Sequence, residues 1–167
     1  MLEGKRIIVT GSARGMGEAT LKAYVEAGAN VIGMDVTDDT GELVSNEANQ
    51  KGPGKSSYLH VDISEKSSVE NSFSKAVEIL GGLDVLAHPA AIQRASDASN
   101  VSVEDWDLMF SVNVKGTMLT NQIAYKYMKK SGGGSIINFG SISGLRPEPS
   151  ASAYSAAKGA VHSWTRT

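Results

Sequence analysis

The stretch Arg6–Gly17, RIIVTGSARGMG, decides how the rest of the chain is read. Its first five residues read as a strand around the apolar run Ile7–Val9, and glycines follow at 11, 15 and 17. An unbroken apolar run suits a strand covered on both faces, as in parallel sheets. From about Gly15 to Ala27 the pattern changes: Leu21, Tyr24, Val25 and Gly28 recur at three and four residues, the period of a helix that ends on a glycine. Between strand and helix, missing side chains allow a tight reversal and close helix–strand packing. They also allow an anion to approach the helix N-terminus, where free N–H groups and the positive end of the dipole face it. The spacing, Gly-x-x-x-Gly-x-Gly, differs from the commonest dinucleotide fingerprint, and glycines in a loop also suit an ordinary tight turn.

The same alternation continues outward. Strands are predicted at Asn30–Met34, Ser57–Val61, Leu83–Ala87 and Ser135–Phe139. Helices are predicted from about Thr40 to Gln50, from Ser64 as N-cap to about Leu80, from Ser102 to Lys130, and from about Ala151 to Thr167. KGPGK (51–55), Gly81-Gly82 and SGGG (131–134) separate them. Ser102 to Asp105, SVED, has the form of a capping box. Five strands alternating with helices imply an α/β fold: a doubly wound parallel sheet, Rossmann-like, in three α/β/α layers. Ligands of such sheets bind beyond the carboxyl ends of the strands, so Gly11–Gly17, Asp35, Asp62, His88–Ala91 and Ser141–Ser143 matter most.

Composition narrows the function. The 167 residues carry 16 Lys and Arg against 18 Asp and Glu, a net charge of −2, so no basic excess points to nucleic acid. With 41% hydrophobic and 20% charged residues the chain reads as one ordinary globular domain, 1–167. The absence of cysteine excludes disulfides, a thiolate nucleophile and cysteine-bound zinc. His60, His88 and His162 have no metal-ligand spacing, so no metal is expected. No apolar run approaches membrane-spanning length and no secretory signal is readable, which makes the cytoplasm the expected location.

Asp35 stands at the end of the second predicted strand, eighteen residues beyond Gly17. A carboxylate there accepts from both hydroxyls of an adenosine ribose and repels a 2′-phosphate, which favours NAD over NADP. Arg14 pulls the other way, since a cation in the turn can pair with that phosphate. Asp62 can accept from an adenine amino group or complement the next helix N-terminus. Tyr154 and Lys158 are at i and i+4, on one helix face. A phenol titrates near 10, and a nearby ammonium favours its ionised form, so such a pair can exchange a proton with an alcohol or ketone near neutral pH. Ser141 precedes Tyr154 by thirteen residues and can polarise the same oxygen. Asn113, a poor helix former inside the long helix, suggests a local kink or a hydrogen-bonding role such as holding a water in a proton relay.

TGSARGMG (10–17), VDIS (61–64), DVLAHPAAI (84–92), NVKG (113–116), INFGSISG (137–144) and YSAAK (154–158) follow in one order. In that order and spacing the chain resembles the short-chain dehydrogenase/reductase family, in its single-domain branch. The resemblance implies hydride transfer between a nicotinamide cofactor and an alcohol or ketone carbon. It implies Tyr154 as acid/base, Lys158 as holder of the nicotinamide ribose, Ser141 as orienter of the substrate oxygen and Asn113 as support of the relay. It implies cofactor contacts from Gly11, Ser12, Arg14, Gly15, Met16, Gly17, Asp35, Asp62, Ile63, Ala90, Ala91, Tyr154 and Lys158. It also implies a homodimer or homotetramer through the last two predicted helices. The sequence departs from the family at His88-Pro89-Ala90-Ala91, where Asn-Asn-Ala-Gly is usual. Pro89 removes a donor and Ala91 adds a methyl. Family members also continue past the Tyr154 helix, so the C-terminal strands and substrate loop are expected to be missing, leaving Ser135–Phe139 as an apolar sheet edge.

Overall fold

A computed structural model describes residues 2–167. Its strands are β1 (Arg6–Thr10), β2 (Asn30–Asp35), β3 (Lys55–His60), β4 (Val85–His88) and β5 (Ser135–Asn138). Its helices are α1 (Gly15–Glu26), α2 (Asp38–Asn49), α3 (Lys66–Leu80), α4 (Val103–Phe110), α5 (Gly116–Lys130) and α6 (Ser152–Thr165). The strands form one sheet in the order β3-β2-β1-β4-β5, all parallel. That order reverses direction between β1 and β4, so a crevice opens beyond the carboxyl ends of those two strands.

Successive residues of β1 feed opposite cores. Ile7 and Val9 pack with Leu21 and Val25 of α1 and Val44 of α2. Ile8 packs with Phe73 of α3, Ala124 and Met128 of α5, and Leu86 of β4. Two-sided covering explains why β1 is apolar without alternation. A third, smaller cluster of Met109, Ala153 and Ala157 joins α4 to α6. Among the described residues no helix is long and apolar enough to cross a membrane.

Several boundaries differ from expectation by one or two residues and one long helix is interrupted; three of these differences carry a physical reason. β3 begins at Lys55, two residues early, because Lys55, Ser56 and Ser57 pair with Asn30, Val31 and Ile32 despite being polar. Ser56 is satisfied there by Asn49 and Ser45. The cap of α3 is Glu65 rather than Ser64; Ser64 is taken into a tight turn by Asp62, whose Oδ1 accepts from both its N–H and its hydroxyl. The long helix expected over 102–130 is interrupted by a π-helical turn at Ser111–Lys115, centred on Asn113. The local irregularity that Asn113 suggested thus takes the form of a π turn. The capping box also forms in its main part: Ser102 Oγ accepts from the Asp105 N–H at 3.1 Å.

Candidate active site

The glycine turn passes beneath the loop that follows β4. A Cβ on Gly11 would press into the Ala90 backbone, and one on Gly17 would overlap the Gly11 carbonyl. These two positions must lack side chains for the turn to close. No side chain caps α1, whose N-cap is the exposed Arg14. Its first-turn N–H groups thus lack a side-chain acceptor at the end where the dipole is positive.

The crevice beside the turn has a volume of about 420 Å³, within the range of ligand clefts. Gly11, Arg14, Met16, Gly17, Asp35, Asp62, Ile63, Ala90 and Ala91 all line it. Gly15 stands at the turn with φ +58°. Ser12 does not line the crevice: its hydroxyl is buried without a hydrogen-bond partner among the described residues, and its N–H donates to Met34 O of β2 at 3.2 Å. Ser12 therefore ties the turn to the sheet.

Asp35 is held in place by backbone donors. Oδ2 accepts from Ala13 N–H at 3.0 Å, and Oδ1 from Val36 N–H at 2.8 Å and Thr37 N–H at 3.1 Å. The Tyr58 hydroxyl donates to the Asp35 carbonyl at 2.6 Å. A fixed negative charge thus stands at the end of β2. The turn without side chains, the uncapped helix start and this carboxylate fit a dinucleotide: phosphates at α1 and ribose hydroxyls at Asp35.

The candidate catalytic side chains stand on α6 and on the loop that follows β5. Tyr154 and Lys158 lie on α6, with the Lys158 ammonium 5.8 Å from the centre of the Tyr154 ring. The Tyr154 ring is half-buried against the α4–α6 cluster, and among the described residues its hydroxyl has no hydrogen-bond partner. Lys158 is buried, and its Nζ donates to the Phe139 carbonyl, just past β5, at 2.6 Å. Burial lowers its pKa from the ordinary lysine value. Ser141 Oγ accepts from the Ser143 N–H at 3.2 Å, which leaves its own proton free to donate.

Asn113 is anchored on the loop after β4. Its Oδ1 accepts from Ile92 N–H and its Nδ2 donates to the Ile92 carbonyl, both at 2.8 Å. Its own carbonyl accepts from the Thr117 hydroxyl at 2.7 Å. The side chain therefore clamps the loop after β4.

Two histidines belong to this region. His88 replaces the usual asparagine with a buried imidazole whose Nδ1 lies 2.7 Å from Thr10 Oγ1 and 3.3 Å from Thr120 Oγ1. Burial, with the Lys158 charge adding to it, brings its pKa down to about 3, so the ring is neutral at physiological pH. His162 accepts the Ser141 N–H at Nε2, at 3.2 Å. Metal-ligand spacing gave no hint of either role. The available signal was position: His88 ends a strand, and His162 stands one i+4 step beyond Lys158.

A larger groove, about 810 Å³, runs between the π turn, α5 and α6, lined mainly by apolar residues such as Phe110, Val114, Met118, Val161 and Trp164. None of the candidate catalytic or cofactor residues lines it.

The family model described as short chain dehydrogenase matches residues 5–167. A 3-oxoacyl-acyl-carrier-protein reductase (FabG) of Thermotoga maritima is 33% identical over 166 residues, covering 99% of this chain and 67% of that protein. An uncharacterized oxidoreductase of the same organism is 32% identical over 167 residues, covering 100% of this chain and 65% of that protein. The crystal structure of a short chain dehydrogenase from Mycobacterium smegmatis superimposes with a TM-score of 0.95 at 29% identity, over 99% of this chain and 70% of that one. The chain thus spans about two thirds of the length of these curated relatives.

Proposed function

The chain belongs to the short chain dehydrogenase family, and on that premise we propose that it is an oxidoreductase acting between an alcohol and a ketone with NAD as its partner. The observation that supports this most is the pairing of Tyr154 with the buried Lys158 on one face of α6, beyond the same sheet edge as the glycine turn. When bound, the nicotinamide supplies or accepts the hydride. Tyr154 gives a proton to the developing alkoxide in one direction and takes it from the alcohol in the other. Ser141 donates its hydroxyl proton toward the same oxygen and so orients it. Lys158 supplies positive charge beside the phenol and would hold the nicotinamide ribose. Asn113 fixes the loop after β4 through Ile92 and, on this reading, supports the proton relay.

Asp35 supports NAD over NADP, because its anchored carboxylate faces the ribose position with a charge that repels a 2′-phosphate. Arg14 is exposed and is the weaker determinant. The apolar groove beside α6, with Trp106 stacked on Phe110 at 4.5 Å nearby, supports self-association into a homodimer or homotetramer. A second reading rests on the sheet edge: Ile137 of β5 is 40% exposed. It describes a nucleotide-binding module that needs another element against β5 before it turns over.

The deciding experiment is NADH and NADPH titration followed by a broad alcohol and ketone panel. NADH is expected to bind more tightly than NADPH, and turnover to vanish in Tyr154→Phe while NADH affinity holds. Retained turnover in that variant refutes the role of Tyr154. Binding without turnover in the unaltered chain favours the module.

A further inference from the structure

Helix α6 grips the loop leaving β5 at two points. Lys158 donates to the Phe139 carbonyl at 2.6 Å. One turn further along, His162 accepts the Ser141 N–H at Nε2. Between them Gly140 leaves room for the ring, since a Cβ there would overlap the imidazole at Nε2. The loop residues 139, 140 and 141 are thus fitted in succession against one face of the helix.

An imidazole nitrogen that accepts a backbone N–H must present its lone pair. The proton of the neutral ring is then on Nδ1. That Nδ1 is buried and has no hydrogen-bond partner among the described residues. A buried donor left unpaired is costly, and an aliphatic residue at 162 would avoid the cost. The ring is set where only its other nitrogen is used, and that nitrogen holds Ser141.

We infer that His162 is a positioning residue for Ser141: as the Nδ1–H tautomer it anchors the Ser141 backbone and so fixes where the hydroxyl points. The role in turnover rests on the oxidoreductase reading above; the tautomer and the anchored amide do not. Ser141 Oγ accepts from Ser143 N–H, so its one proton is directed by the backbone conformation that His162 holds. Loss of the anchor lets the Ser141 backbone rotate and misdirects the donor without touching the nucleotide crevice, which His162 does not line.

The test uses the full chain labelled with nitrogen-15 at histidine. Long-range proton–nitrogen correlation is expected to show His162 as the Nδ1–H tautomer, assigned by its loss in His162→Gln. The Ser141 amide is expected to exchange slowly in the unaltered chain and in His162→Gln, whose Oε1 can accept the same N–H, and rapidly in His162→Leu. In turnover, His162→Leu is expected to lower kcat by about tenfold, the scale of one directed hydrogen bond, with NADH affinity unchanged. His162→Gln recovers most of that loss, which separates anchoring from packing. An Nε2–H tautomer, or equal Ser141 exchange in the Leu variant and the unaltered chain, overturns the inference. The expected tautomer and exchange in a chain that turns over nothing uphold the anchor and overturn the oxidoreductase reading instead.

Discussion

In β1, Ile7, Ile8 and Val9 are wholly buried, whereas in β5 the alternate residues Ser135 and Ile137 face solvent. The two strands sit either side of β4 in one parallel sheet, yet they support their loops by different means. Beyond β1 the crevice is shaped by backbone: glycines at 11 and 17, an uncapped helix start, and N–H groups that fix Asp35. Beyond β4 and β5 the loops are fixed by side chains: Asn113 on Ile92, Lys158 on Phe139, His162 on Ser141. A backbone-built site is intolerant of added atoms. A side-chain-built site is intolerant of lost ones.

The sharpest way to break that contrast is to add one methyl to the first region. In Gly17→Ala the Cβ overlaps the Gly11 carbonyl, and either the turn or the helix start must move. NADH affinity is expected to fall by about 100-fold or more, close to 3 kcal/mol. Calorimetric titration measures it. Near-normal affinity would mean that the turn is adaptable and the contrast wrong.

His88 joins the two regions, since it ends β4 and contacts Thr10 of β1 and Thr120 of α5. Its folded pKa, about 3, lies far below the unfolded value near 6.5. Between those values the unfolded chain binds a proton that the folded chain refuses. Stability is therefore present in full above about pH 6.5 and is lost as pH falls toward 3, at up to ~1.4 kcal/mol per pH unit. Urea unfolding from pH 7 to pH 4 should show a loss of about 3 kcal/mol from this group. His88→Asn, which cannot titrate, should flatten that slope. An unchanged slope would show that the ring reaches solvent.

Removing a clamp in the second region is the next smaller effect. Asn113→Ala leaves the Ile92 N–H and carbonyl without their partners. The expected loss of stability is about 1–3 kcal/mol, with turnover reduced and NADH binding affected less. A denaturant midpoint equal to that of the unaltered chain would mean that water replaces the amide without cost.

The same division governs what could be read from sequence. The first region is written in apolar runs and glycines, so β1, α1 and β2 fall where the pattern puts them. β3 shows the limit: its first residues are Lys55, Ser56 and Ser57, and what makes them a strand is pairing to β2, which local hydropathy does not carry. Tyr154, Lys158 and Ser141 stand out as candidates because the chemistry proposed for them is tied to fixed spacing. The Ser141–His162 contact does not, because it joins a loop to a helix twenty-one residues away, and an isolated histidine carries no pattern. Asn113 lay between these cases: a misfit residue in a helix signals a distortion, and the distortion is there, but its partner Ile92 is set by tertiary packing.

The smallest effect concerns the end of the sheet opposite the site, where the contrast should vanish. Arg6 forms hydrogen bonds from its N–H, Nε and Nη2 to the Asp84 carboxylate, at 2.9, 3.0 and 2.6 Å, linking the start of β1 to the chain just before β4. The Arg6 side chain, chiefly by hydrogen bonding, holds the Asp84 carboxyl down to about 2. Because the folded pKa is the lower one, the stabilisation is present above the unfolded value near 3.9 and is lost as pH falls toward 2. Both side chains are partly exposed, so screening by water keeps the contribution to no more than about 1 kcal/mol. Asp84→Asn should remove the acid-dependent loss between pH 4 and pH 2 and leave both NADH affinity and turnover at pH 7 unchanged. A change in either would mean that the two ends of the sheet are coupled, and that the strands transmit strain rather than merely carrying two independently built loops.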